Sequence, residues 1–226
     1  MELKIIANIK SDFTQKFGIP RQSGVVENLK SEIIFTKEFQ NPVILRGLEG
    51  FSHLWLIWEF SENVREKWSP TVRPPRLGGN KRLGVFATRS PFRPNPIGLS
   101  CVKIEEIILN SKEGIKIIVS GADLMNGTPI YDIKPYLPYA DCKPDAIGGF
   151  ANEYNKVKLR VDFPKEELKK IHMDKRDSLI ETLSLDPRPS YQNDRDRVYT
   201  MAFGENEIKF TVDNENLYVK KVEKKA

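Results

Sequence analysis

The chain has 226 residues, of which 30% are charged, 39% hydrophobic and 10% aromatic, with a formal net charge of +5. No run approaches the roughly 18 apolar residues that a membrane span needs, and the apolar and aromatic content suffices for a core, so neither a membrane protein nor a mainly disordered one is expected. Cys101 and Cys142 fit neither a disulfide framework nor a zinc cluster, and the N-terminus carries no signal-like pattern, so a cytoplasmic setting is expected.

In chain order, Leu3, Ile5, Ala7 and Ile9 alternate with polar positions as a strand does. A rigid polar connector, Ile19-Pro20-Arg21-Gln22-Ser23-Gly24, follows. Leu54, Leu56, Trp58 and Phe60 define one face of a second strand, with His53, Trp55, Ile57 and Glu59 on the other. Residues 61–82 form a long connection without periodicity, and loops of that length in a compact domain are usually functional. Residues 83–88 read as a strand feeding a stiff turn, Arg89-Ser90-Pro91-Phe92-Arg93-Pro94-Asn95-Pro96, because each proline fixes its own φ and restrains its predecessor. Ile115, Ile117 and Val119 repeat the period of two, and Asn126-Gly127 is a strong turn signal. Tyr131, Tyr136 and Tyr139 beyond it read as half-buried barrel aromatics. Pro- and Gly-rich connectors, not helices, separate these strands, which favours an antiparallel barrel or sandwich over a doubly wound sheet.

Composition shifts near residues 140–155. Val157, Leu159, Val161 and Phe163 then alternate as a strand, Pro164 suits a first helical turn, and Leu168, Ile171, Leu179, Ile180 and Leu183 give a helical stripe. Two short strands, Ile208/Phe210/Val212 and Leu217/Val219, join through Asp213-Asn214. The expectation is a mainly β chain: an antiparallel β-barrel over residues 1–145 and a smaller α+β domain over 155–226.

Charge is segregated. Residues 67–104 hold Lys67, Arg73, Arg76, Lys81, Arg82, Arg89, Arg93 and Lys103 with no Asp or Glu, leaving −3 for the rest of the chain. A solvated loop and a polyanion-facing surface both fit that window. The P-loop-like glycine spacing at 79–84 lacks the following Lys and hydroxyl, and neither His53 nor His172 stands in ligand spacing, so no metal is expected. Arg89 and Arg93, on their stiff loop, each suit a carboxylate or phosphate. The amides of the 126–128 turn and the Thr128 hydroxyl suit a carboxylate or ribose, and Asp132 and Lys134 share one face of an extended stretch. In Asp186-Pro187-Arg188-Pro189-Ser190-Tyr191, Arg188 and Tyr191 are expected to project towards a phosphate and a stacked base.

Together, Pro20-Arg-Gln-Ser-Gly24, Leu48-Glu-Gly-Phe-Ser-His-Leu-Trp55, Arg73-Pro-Pro-Arg-Leu-Gly-Gly79, residues 83–99 and 123–139, and Asp186-Pro-Arg-Pro-Ser-Tyr191 resemble the TsaA-like family, also called YaeB or TrmO. The resemblance implies a tRNA methyltransferase that moves a methyl group from S-adenosyl-L-methionine to N6 of threonylcarbamoyladenosine at position 37. It further implies a cofactor-binding barrel, a smaller C-terminal domain, and a homodimer with the cofactor near the subunit interface. By that resemblance Pro20, Arg21, Gln22, Ser61, Glu62, Arg89, Leu99, Asn126, Gly127, Thr128 and Pro129 contact the cofactor. Ser61-Glu62 stands where the family more usually has His-Gln, and Asn126 where Asp is common.

A sulfonium donor needs no metal, only alignment with its acceptor. The urea-like acceptor nitrogen needs its proton polarised or removed. Arg93, Arg82 or Lys134 suits the first task and Asp132 or Tyr191 the second. Arg73, Arg76, Lys81, Arg82, Lys134 and Arg188 are the expected contacts to the tRNA anticodon loop. Two rivals are a non-catalytic RNA-binding barrel and a phosphohydrolase using Asp123 and Asp132 with a divalent metal.

Overall fold

The computed structural model describes residues 2–63, 67–74, 81–154, 158–189, 192 and 194–225. The first strands are β1 (Ala7–Lys10), β2 (Lys30–Phe35), β3 (His53–Glu59), β4 (Thr71–Val72), β5 (Leu83–Gly84), β6 (Ile97–Ile108), β7 (Lys116–Ser120) and β8 (Pro129–Pro135). All but β4 and β5 close into a barrel in the order β1-β2-β7-β6-β3-β8, every pair antiparallel. Closure removes the open edges that a sheet of this size would otherwise expose. The interior is filled by the alternate residues that the strand period points inward: Ala7 and Ile9, Ile33 and Phe35, Leu54, Leu56 and Trp58, Ile117 and Val119, and Ile130. The antiparallel barrel expected from the sequence is the fold observed.

After the short helix α1 (Pro138–Asp141) come β9 (Arg160–Asp162), α2 (Lys165–Leu168), α3 (Arg176–Ser184), β10 (Tyr199–Phe203), β11 (Asn206–Asp213) and β12 (Asn216–Lys224). The four strands form a sheet in the order β10-β11-β12-β9, with β9 parallel to β12 and the others antiparallel. Asn214 makes the tight turn between β11 and β12 at a φ of 51°, a conformation that asparagine tolerates better than most residues.

Several local expectations are corrected. The first strand does not start at Leu3: Leu3 and Ile5 are exposed, and ladder pairing begins at Ala7. Residues 83–88 are not one strand, because after β5 the chain turns through a 3-10 helix at Val85–Ala87. There the Val85 amide bonds to Pro70 O at 3.0 Å, and the Thr88 hydroxyl closes the turn onto Val85 O at 2.9 Å. The stripe from Leu168 to Leu183 is not one helix. It breaks at a 3-10 turn, Met173–Lys175, where Arg176 Nε bonds to Ile171 O at 3.0 Å. His172, expected within a helix, flanks that turn and is exposed. Tyr139 is not half-buried but 85% exposed. Strand β10 was not foreshadowed by the sequence pattern, and Val157 lies outside the described residues.

The linker between β1 and β2 packs away from the barrel core. Phe13, Val26 and Leu29 are buried in the core built on the β10-β11-β12-β9 sheet, and the Phe13 ring meets Phe203 edge-on at 5.7 Å. Lys175 pairs with Asp12 at 2.6 Å, and Lys225 Nζ reaches the Thr14 hydroxyl at 2.7 Å. Gly18, at a φ of 93°, lies so close to Met201 that a Cβ there would sit 2.2 Å from its sulfur. The second core therefore fixes where Pro20, Arg21 and Gln22 emerge. Among the described residues no helix is long and apolar enough to cross a membrane.

Candidate active site

A cavity of about 810 Å³ opens where the C-terminal end of β3 meets the start of β6. Its walls come from the linker at Pro20, Arg21 and Gln22, from Trp58 to Glu62, from the stiff loop between Phe86 and Asn95, from Gly98 and Leu99, and from Asp123, Met125 and Thr128.

Pairing of β3 with β6 sets Trp58 opposite Gly98. The indole lies directly over that glycine: a Cβ on Gly98 would sit 2.2 Å from the ring. The ring packs on Phe60 with centroids 4.3 Å apart, and its Nε1 donates to Ser100 Oγ at 2.9 Å. Ser100 in turn donates to Asp123 Oδ1 at 2.6 Å. Burial pushes the Asp123 carboxyl above its ordinary value, against the hydrogen bond from Ser100 and the positive charge of Arg89. The Arg89 guanidinium bonds to Gln22 Oε1, joining the proline loop to the linker.

The loop from 88 to 97 is held by its own short bonds. The Ser90 amide donates to Thr88 Oγ1 at 3.3 Å, the Phe92 amide to Ser90 Oγ at 3.2 Å, and Arg93 Nη1 to Thr88 O at 3.1 Å. Prolines and side-chain turns leave this loop few conformations to lose on binding. The Arg93 guanidinium also lies 5.9 Å from the centre of the Phe86 ring, which is 73% exposed at the cavity edge. On the other wall, Lys16 Nζ bonds to Glu62 O at 2.8 Å.

Of the residues expected at a cofactor site, Pro20, Arg21, Gln22, Ser61, Glu62, Arg89, Leu99 and Thr128 line the cavity, as does Arg93. Asn126, Gly127 and Pro129 do not line it. The turn amides are not open to a ligand as the sequence suggested: Asn126 N bonds to Phe13 O and Gly127 N to Ile9 O, both at 2.7 Å, and the Thr128 hydroxyl donates to Met125 O. These bonds clamp the linker to the barrel, and Asn126 Oδ1 adds a bond from Ser11 N at 3.1 Å.

Asp132 and Lys134 share a face as expected but pair with each other at 2.8 Å, away from the cavity. The two carboxylates of the phosphohydrolase reading are thus apart, since Asp123 lines the cavity and Asp132 does not. Among the described residues no three His, Cys, Asp or Glu side chains gather as metal ligands. Arg188 does not project. It is 8% exposed and its Nε and Nη2 fork onto Asp186 at 2.8 and 2.9 Å, while its carbonyl accepts from Arg21 Nη2 at 3.0 Å. Arg73, Lys81 and Arg82 are exposed outside the cavity. Arg76 and Tyr191 lie outside the described residues.

Sequence reasoning passed over Trp58, Phe86, Ser100 and Met125 near the site and gave Asp123 no part in cofactor binding. Nothing in the strand pattern separates Trp58 from its core neighbours. Its one signal is the small residue at 98, legible only once the β3/β6 register is known.

Comparison with known proteins identifies two family models along the chain: the tRNA-methyltransferase O N-terminal domain over residues 8–142 and the TrmO C-terminal domain over residues 156–225. A tRNA (adenine(37)-N6)-methyltransferase of Escherichia coli is 41% identical over 203 residues, covering 87% of this chain and 86% of that one. One of the same name from Eikenella corrodens is 45% identical over 166 residues, covering 73% and 92%. A crystal structure of TrmO from Pseudomonas aeruginosa superposes with a TM-score of 0.77 at 28% identity, covering 99% of this chain and 98% of the other.

Proposed function

This chain belongs to the tRNA-methyltransferase O family, and we propose on that footing that it methylates N6 of adenosine 37 in tRNA with S-adenosylmethionine as donor. The acceptor base is the threonylcarbamoyl form. The active unit is a homodimer in the cytoplasm, in which the barrel over residues 1–145 holds the donor and the smaller domain over 155–226 helps to dock the tRNA.

One observation carries the reading: the cavity at the β3/β6 junction. Its volume of about 810 Å³ lies in the range that encloses a nucleoside-sized ligand. Its lining alternates aromatic and apolar surface (Trp58, Phe60, Phe86, Leu99, Met125) with charges of both signs (Arg21, Arg89, Arg93, Glu59, Glu62, Asp123). That mixture fits a ligand that joins a flat purine to a cation and a carboxylate. When bound there, S-adenosylmethionine supplies a methyl group already activated on sulfonium.

The chain's own residues then have to position and polarise. Pro20 and Gln22, fixed by the second core and by Arg89, form one wall for the donor. Arg93 uses one of its five N–H groups on Thr88 O, and its charge at the cavity edge favours negative charge developing on a carbamoyl oxygen, as an oxyanion site does. The exposed Arg73, Lys81 and Arg82 extend positive charge beyond the cavity and suit the anticodon-loop phosphates. Proton removal from the acceptor nitrogen falls to a cavity carboxylate or to solvent rather than to Asp132, which does not line the cavity.

The test incubates the protein with isotope-labelled S-adenosylmethionine and tRNA that carries or lacks threonylcarbamoyladenosine, followed by nucleoside mass spectrometry. Label is expected on the adenosine-37 nucleoside of the modified tRNA alone. Label on neither tRNA refutes the function, and equal labelling of both refutes the choice of acceptor.

A further inference from the structure

Within the donor-site reading, on which this inference rests, the cavity holds two opposite charges that are kept near each other without being joined. Arg89 is close enough to draw down the Asp123 carboxyl electrostatically, but its guanidinium is bonded to the neutral Gln22 side chain. Asp123 is tethered by Ser100 at 2.6 Å and is also faced by the backbone amides of Ser23 and of Asp123 itself. An indole N–H can only donate, so Ser100 Oγ accepts from Trp58 and turns its single hydrogen towards Asp123. The network thus presents Asp123 as an acceptor. Desolvation by the cavity wall is the largest influence on this carboxyl and disfavours its charge. A ligand that brings its own cation relieves that cost by Coulomb attraction in the low-dielectric wall, which a neutral sugar hydroxyl does not add to its hydrogen bond. Beside it, Arg89 offers the fork that a carboxylate fits.

We propose that Asp123 and Arg89 form a clamp for an α-amino acid zwitterion, Asp123 taking the ammonium and Arg89 the carboxylate of the donor's methionyl end. Gln22 holds Arg89 in place, and Trp58 and Ser100 are positioning residues for Asp123. Asp123 thereby joins the binding residues through chemistry that the turn at 126–129, its amides already bonded, does not supply.

Calorimetric titration of the full chain with four probes tests the clamp. S-adenosylmethionine and S-adenosylhomocysteine share the zwitterion and differ in sulfur charge; methylthioadenosine keeps the adenosine and lacks the amino acid. Asp123→Asn is expected to weaken the first two alike, by about tenfold to a hundredfold for the removal of a charged hydrogen bond, and to leave methylthioadenosine within twofold. Retained methylthioadenosine binding also reports that the variant is folded. Arg89→Gln is expected to weaken S-adenosylmethionine but not its decarboxylated analogue. Ser100→Ala, which removes the tether and keeps the charge, weakens the same two zwitterionic ligands by a smaller factor. The proposal is overturned if Asp123→Asn binds S-adenosylmethionine as the wild type does, if it weakens methylthioadenosine equally, or if it loses S-adenosylmethionine while retaining the homocysteine product. A wild-type chain that binds none of the probes refutes the donor site itself and the clamp with it.

Discussion

Replacing Gly98 by alanine is a sharp test of how the cavity wall is built. The new Cβ would stand 2.2, 2.4 and 2.6 Å from three atoms of the Trp58 indole, short of the roughly 3.5–4.0 Å optimum for carbon pairs by about 0.9–1.8 Å. The ring cannot simply swing aside, because Phe60 packs on it and Ser100 binds its Nε1 at 2.9 Å. Overpacking of this kind costs about 1–3 kcal/mol, and losing the indole–hydroxyl bond adds about 1 kcal/mol. At roughly 2–4 °C per kcal/mol for a chain of this size, Gly98→Ala is expected to melt roughly 5–10 °C below the wild type. It is also expected to bind S-adenosylmethionine more weakly, because Trp58 and Gly98 both line the cavity. Gly84→Ala is the control: its φ is −57°, an added Cβ meets nothing within 4 Å, and it is expected to melt within about 2 °C of the wild type. Differential scanning calorimetry on the three proteins decides. Equal midpoints and equal donor affinity for Gly98→Ala and wild type would refute the indole-over-glycine wall.

Three further outcomes follow from other parts of the structure. Asp186→Ala strips the carboxylate from the buried Arg188 guanidinium; urea unfolding is expected to show a loss on the order of 2 kcal/mol or more. Asp186→Asn, which keeps a side chain tolerant of the φ of 53° there, loses less, and two variants as stable as wild type would contradict the buried pair. Because burial raises the Asp123 carboxyl, the folded chain holds that proton more tightly than the unfolded one, so this group lowers stability as pH climbs from 3.8 through its raised value. Asp123→Asn is accordingly expected to be more stable than wild type near neutrality, with the gap closing below pH 3.8; a gap that widens in acid on pH-dependent denaturation would contradict the sign. Finally, Lys81→Ala and Arg82→Ala are expected to weaken tRNA binding and to flatten its logarithmic salt dependence by about 0.7–0.9 for each phosphate that is no longer neutralised, measured by filter binding across salt concentrations. Unchanged slopes would place the RNA elsewhere.

Periodicity made the barrel legible, because Leu54, Leu56 and Trp58 alternate with polar or half-buried neighbours and Asn126-Gly127 turns where a turn signal stands. It failed where a local hydrogen bond outweighed the pattern. Val85 and Phe86 look like strand residues, yet the Thr88 hydroxyl closes a 3-10 turn over them and leaves Phe86 exposed. Residue type alone placed Arg188 on the surface, whereas Asp186 two residues away draws it inward. The linker posed the hardest problem: Phe13, Val26 and Leu29 pack in a core whose sheet begins only at Arg160, far downstream in sequence, and no window of local pattern reports a partner that distant. The site was legible as a set of stiff, arginine-bearing turns. The Trp58–Ser100–Asp123 relay was not, because it depends on strand register.

The most direct check on the cavity as donor site is the stoichiometry and affinity of S-adenosylmethionine for the intact chain beside Arg89→Ala. One donor per chain is expected for the wild type, with binding at least about tenfold weaker once the guanidinium is gone. A variant that binds the donor with wild-type affinity would contradict the assignment of this cavity.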